Sequence, residues 1–178
     1  RLFRKAGHEV RVVMTKQAEH FVGALTFASL SGYPVLKSLE NSEDHDLSAT
    51  SHIDLAQWGD ILIVAPATAN FLAKFACGIC DDALSTEALA FTNPVLVAPA
   101  MNTRMWDAAV TKENCTRLEK RGVEFCGPVA GDLACGEVGE GKMSSPEEIF
   151  SAAVKLLEKN PKTNVPAELF QPLRGLKV

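Results

Sequence analysis

Asp60-Ile61-Leu62-Ile63-Val64-Ala65-Pro66 decides the fold of this chain. Its apolar residues do not alternate with polar ones. Such a run suits a strand covered on both faces, as in a parallel sheet. Pro94-Val95-Leu96-Val97-Ala98-Pro99 has the same character further on, and the two endings repeat: Val64-Ala65-Pro66-Ala67 and Val97-Ala98-Pro99-Ala100. Between them the apolar spacing turns helical, from about Asn70 to Cys77 and from Ala83 to Phe91. Strands that alternate with helices imply a parallel sheet with helices on both faces.

The pattern extends outward. Upstream, Val10 to Met14 reads as a short buried strand. Gln17 to Ser31 reads as a helix with Phe21, Val22, Leu25 and Phe27 on its apolar positions, ended by Gly32-Tyr33-Pro34. Glu40 to Thr50 is polar and reads as a surface loop; Ile53 to Trp58 is a short helix stopped by Gly59. Downstream, Thr111 to Arg121 is a helix and Val123 to Phe125 a short strand. Ser145-Pro146-Glu147-Glu148 opens a final helix to about Lys159: Ser caps, Pro fits the first turn, and acids suit the positive helix end. The first residues, Arg1 to Lys5 before Gly7, read as the end of a helix whose start is absent. The expectation is therefore an α/β, Rossmann-like (flavodoxin-like) three-layer αβα fold whose N-terminal strand is missing. Residues 1–160 form one domain, and 161–178 a linker with the start of a downstream domain.

Composition bounds the function. The chain has 178 residues, 47% hydrophobic and 22% charged, as in ordinary globular domains. Its net charge of −4 argues against nucleic-acid binding, which asks for a basic face. No apolar run reaches the roughly 18 residues of a membrane span. Five cysteines, an odd number beside a normal apolar core, do not look like a disulfide framework and point to a reducing cytoplasm.

In a doubly wound sheet, ligands bind beyond the C-terminal ends of strands. Thr15, Pro66 to Asn70 and Pro99 to Trp106 directly follow strands. In Ala67-Thr68-Ala69-Asn70 the small side chains let backbone amides approach a ligand at a helix start; an ordinary cap by Thr68 or Asn70 is the alternative. In Met101-Asn102-Thr103-Arg104-Met105-Trp106 the Asn amide both donates and accepts hydrogen bonds; a capping Asn among core Met and Trp is the alternative. Gly131 to Met143 is a Gly-rich loop that carries Cys135. It lacks a Walker ending because Met143 follows Lys142. His52 precedes a short helix and could serve as a base near neutral pH, or be merely solvated. Cys77-Gly78-Ile79-Cys80 lacks the second ligand pair that a zinc site needs.

Together these segments resemble the homo-oligomeric flavin-containing cysteine decarboxylases. Pro66-Ala67-Thr68-Ala69-Asn70 is similar to that family's PASAN motif, with Thr68 for Ser. Pro99-Ala100-Met101-Asn102-Thr103-Arg104-Met105-Trp106 is similar to PxMNxxMW. Leu133-Ala134-Cys135-Gly136-Glu137-Val138-Gly139-Glu140-Gly141-Lys142-Met143 resembles the substrate-recognition flap, with Lys142 where bacterial members often have Arg. Ser51-His52-Ile53-Asp54-Leu55 resembles the histidine segment.

The resemblance implies FMN as cofactor and decarboxylation of a cysteine-derived substrate. The implied substrate is 4′-phospho-N-pantothenoylcysteine, converted to 4′-phosphopantetheine for coenzyme A through thioaldehyde and ene-thiol intermediates. It implies His52 as base, Cys135 as proton donor, and Asn102, Met101 and Lys142 as substrate contacts. Thr15, Ala67, Thr68, Ala69, Asn70 and Met101 are the implied flavin contacts. It further implies a homotrimer or dodecamer with sites between subunits, and a downstream phosphopantothenate–cysteine ligase. A peptidyl-cysteine decarboxylase, a flavin prenyltransferase and a non-catalytic regulatory homologue are the rival readings.

Overall fold

The fold is described from a computed structural model, which describes residues 1–38, 51–132, 136 and 138–160. The decisive run becomes β3 (Leu62–Ala67), and its twin becomes β4 (Val95–Pro99). They pair in parallel, Leu62 with Val95 through Val64 with Val97. β5 (Glu124–Phe125) pairs in parallel on the other edge of β4, so β4 is the central strand. β1 (Val12–Val13) and β2 (Val35–Leu36) form a second, two-stranded parallel sheet.

Period-two alternation along β4 builds the layers. Val95 and Val97 face one core with Phe71, Leu72 and Ala76 of α4 (Ala69–Cys77), Ala88 of α5 (Ala83–Ala90), and Cys115 and Leu118 of α7 (Ala109–Glu119). Leu96 and Ala98 face the opposite core with Ile149, Ala153 and Leu156 of α8 (Pro146–Lys159). Phe3 of α1 (Leu2–Lys5) packs there too, edge-on to Phe150. Helices thus cover both faces of the sheet, as the strand–helix alternation implies. Each fully buried Leu or Val contributes about 1.5–3 kcal/mol, so β4, buried at every position, anchors the domain.

Local chemistry sets the helix ends. Ser145 and Glu148 close a capping box on α8 behind Pro146, as its sequence predicts. Asp82 and Ser85 do the same for α5.

Several expectations need correcting. Gln17 to Ser31 is not one helix: a 3-10 turn at Ala18–His20 gives way to α2 (Ala24–Ser31), with Gly23 in extended conformation between them. Ala65 and Pro66 are exposed although β3 reads as buried on both faces, because β4 is the only described strand beside β3. The Gly-rich segment is not all loop: β6 (Val129–Asp132) and β7 (Val138–Lys142) pair as an antiparallel hairpin. β2 and the short α6 (Thr103–Trp106) also lie outside the sequence expectation. The loop expected at Glu40 to Thr50 and the tail 161–178 fall outside the described residues.

Candidate functional site

Two of the expected motifs meet at the carboxyl ends of the paired strands. Ala67 is in register with Pro99, and the Ala100 N–H donates to the Ala67 carbonyl at 3.0 Å. The parallel β3–β4 pairing therefore sets the loop after each strand beside the other.

At the first loop, the Thr68 hydroxyl oxygen accepts from the Phe71 N–H at 3.2 Å and caps α4. Ala67 is fully buried, Ala69 is half-buried, and Thr68 and Asn70 are exposed. The first amides of α4 lack intrahelical acceptors and carry the positive end of the helix dipole. Of the expected flavin contacts, Thr68, Ala69 and Asn70 form the open start of α4, whereas Ala67 ends β3 and is fully buried; the capping alternative is also realised by Thr68.

At the second loop, Asn102 Oδ1 accepts from the Arg104 N–H at 2.8 Å and caps α6. The Met105 and Trp106 amides each donate to the Asn102 carbonyl at 3.0 Å. Met101 is half-buried and packs on the α4 side of the core with Trp106. Capping and core packing are thus both present here, alongside an Asn placed at a strand end.

The hairpin docks on this second loop. The Met101 N–H donates to the Gly141 carbonyl at 2.9 Å. A Cβ at Gly141 would overlap the Met101 carbonyl oxygen, and one at Gly139 would overlap Thr103 Oγ1. That Thr103 hydroxyl is buried and lacks a hydrogen-bond partner among the described residues. Trp106 Nε1 donates to Glu140 Oε2 at 3.3 Å, and Lys112 Nζ lies 3.9 Å from the centre of the Trp106 ring. Glu140, Trp106 and Thr103 carry no role in the sequence reading. The available signal was Gly139-x-Gly141 inside a short segment, which marks close backbone approach in a strand.

The other expected residues are placed differently. Thr15 follows β1 in the two-stranded sheet, where its Oγ1 accepts from the Ala18 N–H at 3.2 Å. Lys142 pairs with Val129 across the hairpin, and its side chain runs over Gly131. His52 stands in the first turn of α3 (Ser51–Trp58), but its side chain lies outside the described residues. Cys135, in the segment that joins β6 to β7, also lies outside them. Cys77 and Cys80 are exposed free thiols, and no cluster of three or more metal-ligating side chains occurs among the described residues.

Charge is ordered between the C-terminal part of α4 and the start of α5. Lys74 of α4 bridges Asp81 at 2.6 Å and Asp82 at 3.0 Å, and those bonds raise its pKa. Partial burial pushes Asp82 up, but the Ser85 amide and Lys74 outweigh it, so its pKa is lowered. On α5, burial alone pushes Glu87 up to about 7, with Oε2 unpartnered among the described residues.

Comparison with known proteins defines the class. Residues 1–158 match the family described as Flavoprotein. The bifunctional coenzyme A biosynthesis protein CoaBC of Haemophilus influenzae is 47% identical over 152 residues, covering 85% of this chain and 38% of that protein. The chain thus spans about two fifths of the length of such relatives. A PPC decarboxylase mutant solved with pantothenoylaminoethenethiol superposes with a TM-score of 0.74 at 35% identity, covering 88% of this chain and 86% of that one. The FMN-dependent cysteine decarboxylase SpaF gives 0.71 at 32% identity, covering 87% and 84%. The fold and these likenesses define a three-layer αβα, flavodoxin-like flavoprotein domain. The chain belongs to the flavoprotein family.

The described residues fit a flavin. Exposed Ala65 and Pro66 present a low surface for a flat ring, and the α4 amides offer donors to its polar edge. No helix among the described residues is long and apolar enough to cross a membrane.

Proposed function

We propose that this chain is an FMN-dependent decarboxylase that converts 4′-phospho-N-pantothenoylcysteine to 4′-phosphopantetheine in coenzyme A synthesis. The observation that carries the reading is the pairing of two loops. The capped start of α4 and the Asn102 turn sit side by side at the ends of β3 and β4. The resemblance in fold and sequence to PPC decarboxylase supports the same substrate.

FMN, when bound, supplies reversible two-electron oxidation of the substrate carbon that bears sulfur, and the protein supplies binding, orientation and protons. Direct loss of CO₂ from the cysteine carboxylate would leave an unstabilised carbanion; at the thioaldehyde level the C=S group accepts the electrons. Thr68, Ala69, Asn70 and Met101 would hold the cofactor, together with Thr15. Asn102 holds the departing carboxylate: its Oδ1 serves the α6 cap, and Nδ2 is the donor half of the amide. His52 is the base of the oxidative half. Cys135 protonates the ene-thiol, and Lys142 meets the anionic end of the substrate. A relative carrying a cysteine-to-serine change was solved with an aminoethenethiol, which supports a proton-donor role for a cysteine in this fold. The assembly is a homotrimer or dodecamer with sites between subunits, in the cytoplasm, and the longer protein carries the ligase downstream.

The likeness to SpaF, a cysteine decarboxylase, keeps a second reading in play, in which the substrate is a peptide's cysteine. One experiment separates them. The chromophore of the full-length protein is released and weighed, and the loaded protein is then given phosphopantothenoylcysteine or a cysteine-ended peptide. FMN together with 4′-phosphopantetheine is the expected result. Conversion of the peptide alone selects the second reading, and a protein that FMN cannot reconstitute ends both.

A further inference from the structure

Strand β7 does more than complete a hairpin, because it lies directly on the loop that carries Asn102. Three features hold it there. The first is the backbone bond from the Met101 N–H to the Gly141 carbonyl, 2.9 Å. The second is the pair of glycines, 139 and 141, whose missing side chains admit Thr103 Oγ1 and the Met101 carbonyl. The third is Glu140 between them. Side chains on a strand alternate in direction, and Glu140 reaches Trp106 Nε1 at 3.3 Å. The indole is itself held: Lys112 Nζ sits over its ring at 3.9 Å and is tied to Asp107 at 3.6 Å.

Asn102 is bound to this clasp by its own backbone. Its carbonyl accepts from the Trp106 N–H at 3.0 Å, so a shift of Trp106 moves the Asn102 turn. Gly141 grips the residue before Asn102 and Glu140 grips Trp106, so β7 touches the turn on both sides.

We propose that Glu140 and Trp106 are positioning residues, whose hydrogen bond clamps β7 on the Met101–Thr103 turn and so fixes Asn102 for the substrate carboxylate. The role of the clamp in turnover rests on the decarboxylase reading; its existence does not. The clamp is formed by exposed or half-exposed groups, so its effect is modest.

Trp106→Phe keeps a ring under Lys112 and removes only the indole N–H. Glu140→Gln keeps an acceptor oxygen, whereas Glu140→Ala does not. In the flavin-loaded, assembled protein, Glu140→Ala and Trp106→Phe are expected to raise KM about three- to tenfold, the net size of one ordinary hydrogen bond. They leave kcat within about twofold, since chemistry follows once the carboxylate is seated. Glu140→Gln is expected to stay near the unmodified protein, and the double variant to be no worse than either single one. Amide exchange at Met101 is followed in parallel, and it quickens in the same two variants but not in Glu140→Gln. An unchanged KM in Glu140→Ala, or losses that multiply in the double variant, overturns the proposal. If the unmodified protein turns nothing over, the substrate reading has failed separately, and Met101 exchange still decides the clamp: unaltered exchange in Glu140→Ala removes it.

Discussion

The tetrapeptide Val-Ala-Pro-Ala occurs at the ends of both β3 and β4, and the two copies have opposite surroundings. In Val97-Ala98-Pro99-Ala100 the valine and first alanine are completely buried, and Pro99 is among the largest fully buried residues. In Val64-Ala65-Pro66-Ala67 the middle two residues are exposed, the strand ladder skips from Val64 to Ala67, and the Ala65–Pro66 bond is cis. β4 has a strand on each side and helices on both faces, whereas β3 pairs with β4 alone among the described strands. The same letters therefore make core at one place and an open surface at the other. Identical residues specify a strand; neighbours decide how far it is covered. The proposed flavin surface lies where the copies diverge.

The sharpest way to break this contrast is to disturb the closed end of β4, where β7 presses on Met101. Gly141→Ala places a methyl group against the Met101 carbonyl oxygen at φ +154°, a conformation side chains rarely adopt. Overpacking and backbone strain together are expected to cost about 2–5 kcal/mol. A falling Tm with loss of substrate binding is the expected outcome, and an unchanged Tm removes the hairpin from the structural account of Asn102.

Covered and open surfaces also set charge. Glu87 of α5 is buried, and burial raises its carboxyl from 4.5 to about 7. Between those two values the folded protein keeps a proton that the unfolded chain has lost. Stability from this group is therefore full below about 4.5 and declines as pH rises to about 7, beyond which it changes no further. Glu87→Gln mimics the protonated acid, so it is expected to match the parent near pH 5 and exceed it near pH 8 by at most about 3 kcal/mol. Urea denaturation at the two pH values measures it. Equal gains at both would show that the carboxyl titrates normally.

The strand contrast also explains what could be read from the sequence. β3, β4, α4 and α8 were legible because each carries its own signal: an unalternating apolar run, or a cap followed by helical spacing. Positions that depend on another segment were not. The exposure of Ala65 and Pro66 depends on what stands beside β3. The hairpin was hidden because Val138-Gly139-Glu140-Gly141-Lys142 has the composition of a loop, and it forms a strand by pairing with β6 and docking on the Asn102 turn. β1 and β2, with two residues each, are too short to show a period. The Ala67–Asn70 and Met101–Asn102 segments were readable as strand-end loops, but their adjacency follows from β3 pairing with β4.

The smallest effect tests the contrast most directly, because it makes one substitution in both copies. Ala98→Val adds two carbons where Leu96, Ile149 and Ala153 already fill the space around a fully buried alanine. Overpacking there is expected to cost about 1–3 kcal/mol. Ala65→Val adds the same carbons to an exposed site, with an expected change within about 0.5 kcal/mol. Flavin affinity should respond in the reverse order, because Ala65 lies exposed on the proposed flavin surface whereas the Ala98 side chain points into the core. Denaturation midpoints and flavin titration of the two variants give four numbers. If Ala65→Val destabilises as much as Ala98→Val, the end of β3 is packed rather than open, and the flavin face must lie elsewhere. If Ala65→Val leaves stability intact and weakens flavin binding, exposure at β3 is the property that the second copy of the tetrapeptide lacks.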